Sequence, residues 1–306
     1  MTERTGAQSM SEPIVIAMAF DTLYAPHAAS TIASIVRHAS TEALRFLILQ
    51  ADIDEETRRR VEAVAPRAAF TWIDVAEHMF PELAERGHIN RTTLFRLGLE
   101  KLAPDAVTRA IYLDADLIVC RDIAELWRAD LGDAPLGAAP DSWVDSAAFA
   151  KTWSLSPEHA YFNAGVLLID LEAGRREGLF SAALAFQAEH GEALAYNDQD
   201  ALNYIYWGRW RALDPAWNTQ TTTIMTDLDA KVLSRRRPGI VHFTTDLKPW
   251  LHEKWHPWAW LYWDNLARTS FLDEICARHD CSPLQRFRLW LRWQRWRPRP
   301  ALGQAH

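Results

Sequence analysis

Apolar residues in the first two thirds of this chain fall into short blocks separated by helical patterns. "PIVIAMAF" (13–20) is a β-branched run behind a proline and reads as a buried strand. "AASTIASIVRHA" carries small and apolar residues at helical spacing. "LRFLILQA" is a second buried strand, "DEETRRRVEAVA" a polar-faced helix with Asp54 as its N-cap, and "AAFTWIDV" a third strand. "TTLFRLGLEKLAP" is a helix stopped by Pro104, and it leads into the strand "RAIYL". This alternation predicts an α/β fold with a mostly parallel sheet and helices on both faces. In such sheets ligands gather at the carboxyl ends of the strands.

Beyond residue 123 the rhythm loosens. "YFNAGVLLIDL" reads as a strand, "GLFSAALAFQAEH" as a helix, "DQDALNYIYWG" as a helix starting near Asp198, and "GIVHF" as a short strand. Residues 214–238 look loop-rich. Nothing resembling an internal repeat or linker occurs before about residue 270. The simplest division is a loose leader at 1–12, with Met10 an alternative start, one catalytic-size domain at 13–270, and a helical Arg/Trp-rich tail at 271–306.

Composition is ordinary for a globular chain of 306 residues, with 49% hydrophobic and 24% charged positions. The net charge of −7 is unevenly spread: residues 282–306 hold six arginines and no acid, and taking those six away leaves −13 on the rest. An acidic body argues against nucleic acid as a partner and gives the basic tail a local role. Three cysteines without framework spacing suit a reducing, cytoplasmic setting. Cys276, His279 and Cys281 are close enough in sequence for a metal clip but lack a nearby fourth ligand, so they read as ordinary helix residues. No segment is apolar for the length of a spanning helix, and the early apolar run is too short for a secretion signal.

"IYLDADLIVCRDI" (111–123) carries the first chemistry, because two aspartates interrupt an otherwise apolar run. In an extended chain Asp114 and Asp116 point the same way. Buried and unpaired they would cost several kcal/mol, a penalty that a divalent cation removes. All-oxygen ligation suits Mg²⁺ or Mn²⁺, and an added imidazole tilts the choice to Mn²⁺. The competing reading has both aspartates capping a turn and pairing with Arg121 or Arg109. His242, in "GIVHFTTDLKPW", is either such an imidazole or a satisfied core residue, and Lys248 six residues on suits a phosphate. In "YFNAG", Asn163 offers an amide to a sugar hydroxyl or serves turn chemistry, and Asp198, Gln199 and Asp200 begin a helix where acids also act as caps.

The order of these stretches resembles family eight of the retaining glycosyltransferases, which includes bacterial lipopolysaccharide galactosyl- and glucosyltransferases and the glycogenins. The resemblance runs from about Ile14 to Trp263. It implies a GT-A fold, Mn²⁺ on Asp114, Asp116 and His242, and a UDP-sugar donor whose diphosphate meets Lys248. It places Asp21 and Tyr24 at the uridine, Arg96 on the donor, and Asp141, Asn163, Asp198 and Gln199 around the transferred sugar. Two positions depart from the family pattern: Thr245 stands where glycine is usual, and Leu23 where asparagine is common.

The implied activity is retaining transfer of galactose or glucose from a UDP-sugar to a saccharide or lipid-linked acceptor, as in lipopolysaccharide or cell-surface glycan synthesis. Gln199 and Asp198 are the candidates for a nucleophile, beside a front-face route without one. Among Trp250, Trp255, Trp258, Trp260 and Trp263, one or two would stack on an acceptor and the rest would pack a helix onto the sheet. In the tail, Arg288, Arg292 and Arg295 form one helical stripe suited to an anionic membrane surface, through residues 283–299. The competing readings are a haloacid-dehalogenase-like phosphatase with Asp114 as nucleophile, and a non-catalytic carbohydrate-binding protein.

Overall fold

The computed structural model describes residues 12–41, 43–75, 91–251 and 255–298. The leader expected at 1–12 and the last residues of the tail lie outside these ranges, apart from Glu12.

A seven-stranded sheet forms the body, in the order β3 (Ala69–Asp74), β2 (Leu44–Gln50), β1 (Ile14–Ala19), β4 (Arg109–Leu113), β7 (Phe162–Asp170), β6 (Leu136–Pro140), β8 (Trp210–Ala212). Only β7 runs against its neighbours; every other pairing in the sheet is parallel, so the expected mostly parallel α/β sheet is present. Strand alternation explains the two cores. Ile14, Ile16 and Met18 of β1 join one apolar layer with α1 (Ala25–His38) and α11 (Ala259–Leu266). Val15 and Ala17 join the other, with α8 (Leu179–His190) and α9 (Asp198–Ile205). Each fully buried Ile, Leu or Phe contributes about 1.5–3 kcal/mol, which gives both faces of the sheet their cover.

Helix α2 (Glu55–Glu62) begins as expected, with the Asp54 carboxylate accepting from the Thr57 amide. The helix expected over "TTLFRLGLEKLAP" is present but tightened at its centre: α3 (Arg91–Leu94), a 3₁₀ turn at Phe95–Gly98, then α4 (Leu99–Leu102). Residues 214–238, expected to be loop-rich, instead hold a 3₁₀ turn (Pro215–Asn218), strand β9 (Thr219–Gln220) and helix α10 (Thr221–Asp229). The 111–123 stretch is two strands in two sheets: β4 ends at Leu113, and β5 (Leu117–Val119) joins a three-stranded sheet with β10 (Ile240–His242) and β9. Asp114 to Asp116 is the crossing between them.

Strand β1 lies between β2 and β4, so the sheet's order reverses there, and the loops after β1 and β4 open on one crevice. Reversed β7 brings its first residues to the same edge, which is why residues at a strand's start meet residues at other strands' ends.

Candidate active site

The β5–β10 pairing assembles the centre of the crevice. His242 stands opposite Leu117, and the Phe243 amide donates to the Asp116 carbonyl at 3.0 Å. On the other side the Asp114 amide donates to the Gly165 carbonyl at 2.9 Å. His242 Nε2 therefore lies 3.3 Å from Asp116 Oδ1 and 3.8 Å from Asp114 Oδ2. One ligand atom from each residue falls within 4.8 Å of the others, the one such group among the described residues.

These residues fit a divalent cation. His242 Nδ1 lies 2.9 Å from Asn218 Oδ1, whose own Nδ2 donates to Asn163 Oδ1 at 2.8 Å. The amide oxygen thus faces the ring, Nδ1 carries the proton, and the Nε2 lone pair is left toward the carboxylates, as in many metal-ligating histidines. The space is kept open by Gly165: a Cβ there would sit 2.2 Å from His242 Cε1 and 2.7 Å from Asp114 Oδ2.

Arg96 and Lys248 clamp the carboxylates from either side. Arg96 is 6% exposed; its guanidinium meets Asp114 Oδ1 at 3.0 Å, Asp198 Oδ2 at 2.6 Å and the Ala164 carbonyl at 2.7 Å. Burial works against its charge, but Asp114 and Asp198 more than offset this and raise its pKa. Asp198 is pushed up to about 6, first by burial, with Arg96 opposing and Asp114 adding. Lys248 Nζ donates to the Asp116 carboxylate and to the Phe243 carbonyl. Burial favours a neutral Asp116, yet Lys248 and then His242 hold it well below the usual carboxylate range.

The cluster stands where two cavities meet, and Asp114 and Arg96 line both. One, about 240 Å³, is lined by Asp21, Tyr24, Asp116 and Lys248. The other, about 400 Å³, is lined by Asp141, Asn163, Asp198, Gln199 and His242, with Trp143 and Tyr196 among its wall residues. Polar side chains in the larger cavity are interlocked. Asn163 Nδ2 donates to Asp141 Oδ2 at 3.0 Å and Gln199 Nε2 to the same oxygen at 3.3 Å, while Gln199 Oε1 accepts from the Ala164 amide at 2.9 Å. The structure brings together the eleven residues to which the family resemblance gives a place on the metal, the donor or the sugar.

The sequence profile described as "Glycosyl transferase family 8" matches residues 15–254. The chain belongs to that glycosyltransferase family. Among its relatives, general stress protein A of Bacillus subtilis is 27% identical over 82% of this chain and 92% of its own length. A putative glycosyltransferase of Haemophilus influenzae is 28% identical over 80% and 74%. The solved structure of galactosyltransferase LgtC, in complex with donor and acceptor sugar analogs, superposes with a TM-score of 0.75 at 26% identity, covering 87% of this chain and 100% of LgtC. The GT-A architecture expected from the family resemblance is thereby shown.

Several expectations need correction. Asp114 pairs with Arg96, whereas Arg121 pairs with Glu125 and Arg109 donates to the Ala129 carbonyl, so the turn-cap reading fails. Trp250, Trp258 and Trp263 are at most 5% exposed, and none of the five tryptophans of that stretch lines either cavity. The exposed aromatics at the site are Trp143 (70%) and Tyr196 (43%), which the sequence reading passed over. Each is a lone ring in a polar stretch, a weak signal that only placement makes legible. Asn218 gave no local signal, lying 24 residues from His242. Leu23 is 64% exposed and lines neither cavity.

Proposed function

We propose that the protein is a Mn²⁺-dependent retaining glycosyltransferase that moves galactose or glucose from a UDP-sugar to a saccharide or lipid-linked acceptor, in lipopolysaccharide or cell-surface glycan synthesis. The observation that carries this is the convergence of Asp114, Asp116 and His242 at the junction of two cavities, with Lys248 beside them. Asp114, Asp116 and His242 hold the ion; Mg²⁺ is the alternative occupant. When bound there, the ion supplies Lewis-acid charge to the diphosphate leaving group.

The chain's own residues do the rest. In this reading the smaller cavity takes the nucleotide, with Asp21 and Tyr24 toward the uridine. Lys248 adds a fixed positive charge where negative charge develops, preorganised by its bonds to Asp116 and the Phe243 carbonyl. The larger cavity takes the hexose, oriented by Asp141 and Asn163, while Arg96 holds Asp114 and Asp198 in place. Gln199 and Asp198 face the departing sugar as candidate nucleophiles. Because the Gln199 amide is held at both ends, it serves equally to steady the sugar for attack on the leaving-group side. Trp143 and Tyr196 at the larger cavity offer ring faces to an acceptor saccharide.

The last helix supports a cytoplasmic protein on the inner face of the membrane. In α13 (Pro283–Trp296), Leu289, Trp293 and Trp296 pack inward, while Leu284, Phe287 and Leu291 are exposed on the face that carries Arg288, Arg292 and Arg295. Apolar residues beside arginines on one exposed face suit anionic headgroups, and Arg292 and Arg295 also lie over the Trp255 and Trp296 rings. Among the described residues no helix is long and apolar enough to cross a membrane.

The test is a panel of UDP-sugars, with and without Mn²⁺, scored for slow hydrolysis without acceptor. Metal-dependent release of UDP from UDP-galactose or UDP-glucose is expected. A phosphoaspartyl intermediate at Asp114 would instead favour the phosphatase reading, and failure to bind UDP with Mn²⁺ a carbohydrate-binding scaffold. No observation favours either.

A further inference from the structure

Residues 243–248 form a strap pinned at both ends to one aspartate. Its first amide, on Phe243, donates to the Asp116 carbonyl, and its last side chain, Lys248, reaches the Asp116 carboxylate and closes back onto the Phe243 carbonyl. At the crown of this closed strap, Thr245 has φ +68°. Five non-glycine residues among those described have positive φ, and Thr245 is the β-branched one. Branching at Cβ makes the left-handed region costly, and such strain persists only where the surroundings impose it.

The strain lies at the crevice. Thr245 is exposed and lines the larger cavity together with Asp114, Asn163 and His242, but not the smaller one that Lys248 lines. Asn197, on another wall of the same cavity, is also held at positive φ (+45°). The Thr245 hydroxyl accepts from the Leu247 amide at 3.3 Å, which orients its oxygen and leaves its proton without an acceptor among the described residues. A glycine would hold the same turn without strain and would add room to the cavity. A side chain kept there at a conformational cost narrows the cavity and adds one oriented donor.

We infer that Thr245 is a specificity-determining contact for the transferred hexose, its hydroxyl donating a hydrogen bond to a sugar oxygen of the donor. This rests on the UDP-hexose reading of the two cavities. The contact is to the sugar and not the nucleotide, because the strap divides its side chains: Lys248 faces the smaller cavity and Thr245 the larger.

The experiment measures the affinities of UDP and of UDP-hexose by calorimetry with Mn²⁺, using whichever of UDP-galactose and UDP-glucose the unmodified protein binds more tightly. Thr245→Val keeps the branched shape and removes the donor; it should weaken UDP-hexose about threefold to tenfold and leave UDP unchanged. Thr245→Ser keeps the hydroxyl and should bind both like the unmodified protein. Thr245→Gly should raise the melting temperature by about 2 °C while weakening UDP-hexose as Thr245→Val does. Equal affinities of Thr245→Val and the unmodified protein for UDP-hexose overturn the inference. So do equal losses for UDP and UDP-hexose, which would mark a merely structural strap. An unmodified protein that binds neither ligand overturns the donor reading and this inference together, an outcome distinct from one in which both ligands bind and Thr245 is silent.

Discussion

The His242 ring and the Asn218 amide share a hydrogen bond of 2.9 Å, and Asn218 is itself held by Asn163, which in turn donates to Asp141. One directed chain of bonds therefore runs from a sugar-side carboxylate to a candidate metal ligand and fixes that ligand's tautomer. Asn218→Ala removes the link without touching the ion or the donor. It should raise the Mn²⁺ concentration needed for half-maximal UDP-sugar hydrolysis about tenfold to a hundredfold. A titration that matches the unmodified protein would show that the ring needs no such support.

Gly165 tests the space itself. An added Cβ would meet His242 Cε1 at 2.2 Å, well inside any tolerable contact, and that buried ring is held in place by its hydrogen bond to Asn218. Gly165→Ala should fold, because β7 remains apolar and paired, yet lose metal-dependent turnover by about a hundredfold or more. Retained Mn²⁺ affinity in that variant, measured by calorimetry, would count against the proposed ligand set.

Arg96 joins stability to function. Its removal leaves the carboxylates of Asp114 and Asp198 facing one another in a largely buried site. Arg96→Leu should cost about 3–5 kcal/mol in urea unfolding and abolish turnover. Arg96→Lys should recover part of the stability, since the charge returns, but not the forked contacts to Asp114, Asp198 and the Ala164 carbonyl. A Leu variant as stable as the parent would mean that the carboxylates are paired elsewhere.

What could be read from the sequence follows its period. Strands β1, β2 and β4 are buried on both faces and six residues long or nearly so, and they announce themselves as continuous apolar runs. Strands β5, β8 and β9 are two or three residues long, too short to carry any period, and their pairing partners are far along the chain. The candidate metal group was visible as Asp-x-Asp and a distant histidine, but only the β5–β10 register shows that they meet. Asn218 and Gly165 act through contacts that exist only after folding. Trp250, Trp258 and Trp263 pack into the core, as expected of most of that stretch, but which of the five rings would reach a cavity was not legible, because burial is not visible in sequence. Trp258 donates to the Trp296 carbonyl at 2.9 Å and thereby ties the tail helix to the body.

The free face of α13 gives the next expectation. Replacing Arg288, Arg292 and Arg295 together by glutamate reverses the charge beside Leu284, Phe287 and Leu291. It removes the stacking of Arg292 on Trp255 and of Arg295 on Trp296, while Leu289, Trp293 and the Trp258–Trp296 hydrogen bond still hold the helix to the body. With about 1 kcal/mol of lipid attraction per arginine, co-sedimentation with phosphatidylglycerol vesicles should fall at least a hundredfold. Acceptor-free hydrolysis should be unchanged. Equal sedimentation of the triple variant would place the membrane contact elsewhere or nowhere.

Acid should weaken the fold through two buried imidazoles. His27 lies flat on Trp250 with ring centroids 3.6 Å apart and bonds the Tyr262 hydroxyl, and His256 Nδ1 accepts from the Trp258 amide at 3.1 Å. Burial lowers both from 6.5 to about 3. An unfolded chain binds protons at these rings below its ordinary value, whereas the native one stays neutral until about 3. Their contribution is therefore complete above 6.5 and is lost progressively as pH falls toward 3. Between about pH 7.5 and pH 5.5 each ring should remove about 1.4 kcal/mol of unfolding free energy. His256→Leu starts lower, because the Trp258 amide loses its acceptor, but its stability should fall by about 1.4 kcal/mol less over the same interval. Parallel pH profiles for the two proteins would show that His256 is protonated alike in the folded and unfolded chain.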